Sequence, residues 1–291
     1  MIILILKGGI GNQLFQLMAA LFYSNKNDKN PIFIYTHNLQ KYSARRTFSL
    51  EPFINNYDIK IEIIKKQYWF FHRYWLKIFE KLKLFTITDY NFQKKHFFIE
   101  FFDLFIIDGY FQQPYFLKTN SLQCLRSSLN EYYSINMILN RINQAIGDIS
   151  LENLIKGFGI HIRGTDRKPG VYNHNISNSI QCFISDSDKI IFCFTDDANY
   201  ASEILGDLNI RKVFSTDLGL SDLEEFYLMT MFNRVLITNS TYSVFSRLLT
   251  QSGNTTFVLK NQFMGPYESL LQLLLNNKEA LIRDNIIKIV H

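Results

Sequence analysis

MIILILKGGIGNQLFQLMAALFYSN, residues 1–25, decides how the chain begins to fold. Ile2 to Leu6 is short, apolar, rich in β-branched residues and followed by glycines, which reads as a strand buried on both faces. From Asn12 to Asn25 the apolar residues Leu14, Phe15, Leu17, Met18, Leu21 and Phe22 recur at close to helical spacing. A second buried strand is expected from Pro31 to Tyr35. Strand, tight glycine turn, helix and strand in this order make the unit of a parallel α/β sheet.

The same alternation returns beyond residue 157. FGIHIR, KIIFCFTDD, KVFS, RVLITNS and TTFVLK read as strands. Helices are expected between them near Ala198 to Leu205, through Leu223 to Met231, and over TYSVFSRLLTQSG with a glycine beyond its end. The second half is therefore the clearer doubly wound unit. Asn130 to Ser150 reads as helical, and the boundary is expected at Leu151 to Gly157, giving domains 1–153 and 154–291.

At 291 residues, two domains or one large one are expected. Apolar residues make up 47% and charged residues 20%, a globular rather than a disordered balance. The net charge of +5 suits anionic ligands or an anionic membrane surface, but it is too small to argue for nucleic acid. Cys124, Cys182 and Cys193 are odd in number and lack CxxC spacing, so neither a disulfide framework nor a zinc site is expected, and a reducing cytoplasm fits them best. Ile2 to Leu6 is too short for a signal h-region, and the longer greasy stretches are broken by charges. YWFFHRYWLKIFEKLKLF, residues 68–85, holds both tryptophans; as a helix it would be basic and amphipathic, either a membrane-surface element or an insertion packed on the first domain.

Four motifs could carry chemistry. Gly8, Gly9 and Gly11 lie between a strand and a helix start, where a backbone can approach a ligand and the helix end attracts anions. The spacing departs from GxGxxG, because Leu14 stands where the third glycine belongs, and no P-loop is present. A purely structural turn explains these glycines equally well. In GIHIRGTDRKPG, His161 and Arg163 point to the same face of a strand, and Asp166 follows its carboxyl end, where open α/β sheets bind ligands. Arginine suits bidentate phosphate contact; the alternative is an internal ion pair between Arg163 and Asp166. Thr195, Asp196 and Asp197 close another strand, with helix capping as the competing duty for one of the aspartates. Asn239, Ser240, Thr241 and Ser243 lie at a strand-to-helix turn, suited to a phosphate or to capping. Several polar strand ends in one doubly wound half favour a nucleotide site.

The ordered set GGIGNQLFQLMAA, DGYFQQPYF, HIRGTD, FCFTDD and LITNSTYSVFSRLL resembles the bacterial α-1,2-fucosyltransferases of glycosyltransferase family 11. The resemblance implies a GT-B-like α/β architecture of two Rossmann-type domains facing a central cleft. It also implies GDP-L-fucose held mainly by the C-terminal domain, an oligosaccharide or lipid-linked acceptor held mainly by the N-terminal one, and no required metal. By the same resemblance Asn12 reaches toward the donor, Gly9, Gly11 and Gln13 border the site, and Arg163 pairs with the β-phosphate. His161 would lie near the nucleotide, and Ser240, Thr241 and Ser243 would border the diphosphate. Asp166 is the acid nearest that site. The family usually reads His-x-Arg-Arg-Gly-Asp-Tyr, whereas this chain reads His-Ile-Arg-Gly-Thr-Asp-Arg from His161, closer to the α-1,6-fucosyltransferase form of the motif.

Overall fold

The computed structural model describes residues 1–26, 30–36, 39, 47–55, 57–64, 86–89, 105–147, 149–164, 180–181, 183–184, 190–206, 208–250, 253–259, 268–276 and 286–290. The chain forms two compact units, Met1–Ser128 and Leu129–His291. The expected amphipathic segment 68–85 and Asp166 lie outside the described residues.

In the first unit the opening stretch folds as β1 (Ile2–Ile5) and α1 (Ile10–Lys26), followed by β2 (Ile32–Tyr35), a short α2 (Glu51–Ile54), β3 (Ile61–Ile63), β4 (Thr86–Ile87) and β5 (Phe105–Ile107). The sheet runs β3-β2-β1-β5-β4, and all of its pairings are parallel. β1 is buried on both faces, as its unbroken apolar run requires. α1 is enclosed on more sides than its apolar spacing suggests. Leu14, Phe15, Leu17, Met18 and Leu21 are buried together with Gln13, Gln16 and Ser24. The buried polar groups are tolerated because they are hydrogen-bonded: the Gln16 side chain accepts from Lys7 N–H at 3.0 Å and donates to Lys7 C=O at 3.3 Å.

A 3-10 turn at Pro114–Phe116 leads into α3 (Thr119–Tyr132), within which the two units divide. The second unit continues with α4 (Ile135–Ile146), α5 (Leu151–Lys156), β6 (Phe158–Ile162), β7 (Ile190–Thr195), α6 (Ala198–Leu205), β8 (Arg211–Phe214), α7 (Asp222–Met231), β9 (Arg234–Ile237), α8 (Thr241–Leu248), β10 (Thr255–Leu259), α9 (Glu268–Asn276) and β11 (Ile286–Val290). Its sheet runs β11-β10-β9-β6-β7-β8, again with parallel pairings only. α4, which the sequence assigns to the first domain, and α5, where the sequence puts the boundary, both fall in the second unit. Arg141 on α4 pairs with Glu224 on α7 and donates to Gly219 C=O at 3.3 Å, and Asn233 N–H reaches Ile155 C=O at 2.9 Å.

The apolar sides of β6, β7, β9 and β10 meet in one core that includes Phe158, Ile160, Ile191, Cys193, Leu236 and Phe257. Behind it lies Arg247 on α8, a fully buried guanidinium. It donates to Thr256 Oγ1 at 3.0 Å and to the Met229 and Phe232 carbonyls at 3.1 and 3.0 Å. It thereby satisfies carbonyls left over at the end of α7. Burial pushes its pKa down to about 9.

Candidate active site

In an open parallel sheet, ligands bind beyond the carboxyl ends of the strands, at the point where strand order reverses. Each unit has one such point. In the first it falls between β1 and β5, since the chain runs from β1 to β2 and β3 on one side and from β4 to β5 on the other. In the second it falls between β6 and β9.

At the second reversal, His161, one residue before the end of β6, has only 6% of its surface exposed. Its Nδ1 lies 3.0 Å from Thr238 Oγ1, so a hydrogen bond joins the carboxyl ends of β6 and β9. The imidazole stacks on Tyr242, with ring centres 5.5 Å apart. Tyr242 is held in turn by donating to Asp222 C=O at 2.8 Å. Arg163 follows directly, half-buried, on a loop anchored where Gly164 N–H donates to Asp196 Oδ1 at 2.7 Å. A Cβ at Gly164 would come within 2.6 Å of Asp197 Cβ, so the loop passes the start of α6 as closely as it does only because this residue is glycine.

The paired aspartates have separate duties. Asp197 caps α6, accepting from Tyr200 N–H at 3.0 Å, while Asp196 is exposed and holds the Arg163 loop. Thr195 is turned inward: its hydroxyl donates to Asp197 C=O and its N–H donates to Ser215 Oγ, at 3.1 and 3.0 Å.

The N-terminus of α8 completes the group. Ser240 is its N-cap residue, yet the side chain makes no capping bond, and Ser240 Oγ is buried with no hydrogen-bond partner among the described residues. Ser243 is committed elsewhere, donating to the Thr238 and Ser240 carbonyls at 3.1 and 3.2 Å. Thr241 opens the helix, half-buried. The first N–H groups of a helix carry partial positive charge and no intrahelical partner. Together with Arg163 they can receive an anion such as a diphosphate.

Glu225 on α7 escapes sequence reading. Burial pushes its carboxyl up to about 7 from an ordinary 4.5; Ser215 and Thr195 hydrogen-bond it, and the charges of Asp222 and Asp196 push it further up. Its Oε1 has no hydrogen-bond partner among the described residues.

At the first reversal, Gly8 has φ +75°, which its lack of a Cβ allows, and a side chain on Gly9 would meet open space. Gly11 is buried in the first turn of α1. Gln13 is fully buried and fully used: it donates to Gly8 C=O at 3.1 Å and Thr47 C=O at 2.8 Å, and it accepts from Ser49 N–H at 3.0 Å. It is placed as an anchor for residues 47–49. Asn12 Oδ1 accepts from Gln112 Nε2 at 2.9 Å. Lys7 and Asp108, beyond the ends of β1 and β5, form an ion pair with about a quarter of each side chain exposed (26% and 25%).

The structure thus brings His161, Arg163, Asp196 and the start of α8 together in one unit, and Gly9, Asn12 and Gln13 together in the other. Ser215, Glu225 and Lys7 join them without a sequence signal, because each is identified by a long-range neighbour; Thr238 and Gln112, which also join them, lie within the motifs LITNSTYSVFSRLL and DGYFQQPYF. Among the described residues, no group of three His, Cys, Asp or Glu side chains is placed to hold a metal ion. Nor is any described helix long and apolar enough to cross a membrane.

Each of the two units is a parallel, doubly wound α/β sheet, the fold found in GT-B glycosyltransferases. The chain belongs to Glycosyl transferase family 11, whose profile matches residues 1–279. No curated protein matches the chain by sequence. Among solved structures it is similar to the fucosyltransferase NodZ from Bradyrhizobium, at 15% identity and a TM-score of 0.52, over 86% of this chain and 92% of that one. A structure of NodZ α-1,6-fucosyltransferase soaked with GDP-fucose is similar at 15% identity and a TM-score of 0.51, over the same shares of each chain, 86% and 92%. At such identities the likeness concerns the fold.

Proposed function

We propose that the chain is an inverting fucosyltransferase that moves L-fucose from GDP-β-L-fucose to a galactoside hydroxyl, forming an α-1,2 linkage in bacterial surface-glycan synthesis. The observation that carries this reading is that Arg163, just past β6, and the uncapped start of α8, just past β9, follow the two strands that flank the reversal of the second unit, in a chain of family 11. The acceptor oxygen attacks the anomeric carbon as the bond to the diphosphate breaks, and the hydroxyl proton leaves. Negative charge builds on departing GDP, so a fixed guanidinium and helix N–H groups lower the barrier most. No metal is then required for that charge. Asn12 serves the donor side, and Asp166 orients Arg163 or takes the proton.

A second reading keeps the donor and changes the linkage. The His161 to Asp166 motif is closer to the α-1,6 form, and the similar solved structures include an α-1,6-fucosyltransferase. GDP release from GDP-fucose and from GDP-mannose, with β-galactoside acceptors and EDTA, tests donor and metal independence, and NMR of the product assigns the linkage. Absence of release from both donors would refute the transferase reading for these acceptors. The acceptor is taken to be a lipid-linked glycan at the cytoplasmic membrane face, on the motive of the basic aromatic segment 68–85. Trp69→Ala with Trp75→Ala should reduce sedimentation with anionic vesicles, and unchanged sedimentation would remove that idea.

A further inference from the structure

The side chain of Asn12 folds back over Gly8. A Cβ on that glycine would lie 2.4 Å from Asn12 Nδ2 and 3.1 Å from Asn12 Cβ. Gly8 therefore supplies both the positive φ of the turn, +75°, and the space into which the amide settles. One hydrogen bond fixes which end of that amide goes where. Asn12 Oδ1 accepts from Gln112 Nε2 at 2.9 Å, across 100 residues of chain, while Asn12 Nδ2 donates to no described residue.

Gln112 is itself placed by a series of constraints. It follows Phe111, which is fully buried with φ +52°, a left-handed conformation uncommon for a bulky aromatic residue. The Asp89 carboxylate, just past β4, accepts from the Tyr110 N–H at 2.8 Å and from the Phe111 N–H at 2.5 Å. Gly109 admits that carboxylate, since a Cβ there would lie 2.7 Å from Asp89 Oδ2. The Phe111 ring packs edge-on against Phe116. Backbone strain of this kind persists only where its surroundings over-determine it. Here they deliver a side-chain amide to the turn between β1 and α1.

An amide carries an acceptor at one end and a donor at the other, so a partner on one end decides which of them a ligand meets. With Oδ1 spent on Gln112, Asn12 presents its N–H groups. It stands in the first turn of α1, where unpartnered backbone N–H groups carry partial positive charge and suit a ligand oxygen too. We propose that Gln112 is a positioning residue for Asn12, fixing the amide so that it donates to a ligand oxygen and does not accept from a hydroxyl. Asp89 and Gly109 hold Gln112 in turn. The inference rests on the reading in which Asn12 serves the donor side of fucosyl transfer, where the oxygen is one that gains negative charge as the bond to GDP breaks.

Steady-state kinetics on the full chain with GDP-fucose separate orientation from packing. Gln112→Met keeps the length and removes the donor, and kcat should fall about 10-fold with both KM values within about threefold of wild type. Gln112→Glu turns the polarity round: its carboxylate accepts from Asn12 Nδ2 and leaves Oδ1 to face the ligand, so kcat should fall about 100-fold. In an Asn12→Ala background, itself about 100-fold down, neither change should lower kcat more than about twofold further. Equal losses in the two Gln112 variants overturn the orientation, and a full further loss in the Asn12→Ala background overturns the route through Asn12. One readout needs no turnover. The Gln112 side-chain amide signal in nitrogen-edited NMR, identified by its absence from Gln112→Met, should shift on Asn12→Ala with no nucleotide present; an unmoved signal overturns the pair. A shifted signal in a protein that does not turn over GDP-fucose would keep the pair and sink only the reading of Asn12 as a donor-side group.

Discussion

Glu225→Gln tests whether the second unit carries a carboxyl tuned by burial. The side chain's displacement from 4.5 to about 7 corresponds to about 3 kcal/mol favouring the neutral form in the folded state, at roughly 1.4 kcal/mol per tenfold. Its cause is desolvation first, then the charges of Asp222 and Asp196, partly offset by hydrogen bonds from Ser215 and Thr195. Between those two pH values the folded chain keeps a proton that the unfolded chain releases, so stability falls as pH rises through the window and is lowest above about 7. Glutamine keeps the shape and one acceptor and has nothing to ionise. At pH 5 the variant should match wild type closely; at pH 8 it should be more stable by up to about 3 kcal/mol, or upward of about 5 °C in Tm for a unit of this size. Denaturant unfolding of both proteins at pH 5, 6, 7 and 8 measures the gap. A gap of equal size at pH 5 and pH 8 would refute the assignment, since only a titrating group opens it with pH.

Further outcomes follow from the same geometry. Arg163→Lys keeps the charge but loses the planar fork, and fucosyl transfer should fall on the order of 100-fold in a GDP-release assay. Near-wild-type turnover would show that the guanidinium is not the phosphate clamp. Gly164→Ala puts a methyl 2.6 Å from Asp197 Cβ, so the loop must move and its bond to Asp196 must break; GDP affinity should drop about 10-fold by calorimetry, with the thermal unfolding profile retained. Arg247→Met leaves Thr256 and the carbonyls of Met229 and Phe232 buried without a donor, and should cost about 2 to 4 kcal/mol in urea unfolding. A cost below about 0.5 kcal/mol would mean that methionine packing replaces those bonds.

Local patterns account for most of the element order. The run Ile2 to Leu6 and the glycines after it specified a strand, a turn and a helix, because strand and helix periodicities are written into nearest neighbours. The helix expected at Ala198 to Leu205 has those bounds in the structure, since Asp197 caps one end and Gly206 closes the other. The polar strand ends His161, Arg163, Asp196 and Ser240 were likewise legible, because a parallel sheet puts every strand's carboxyl end on one edge.

Burial and partnership at those positions were decided by contacts between residues distant in sequence. Gln13 reads as a site residue beside the glycines, yet its amide is spent on Thr47 and Ser49, and no local pattern announces those partners. Ser243 reads as a phosphate contact, and its hydroxyl instead returns to the turn that precedes it. The placement of α4 with the second unit is fixed by Arg141 meeting Glu224 and Gly219, and that of α5 by Asn233 N–H meeting Ile155 C=O, pairings that helical periodicity leaves open. Glu225 is one acid among three in the first turn of α7, beside Asp222 and Glu224. Its sequence specifies a helix, but only the packing of that helix against Thr195 and Ser215 decides which of the three carboxyls loses its water and holds a proton near neutrality.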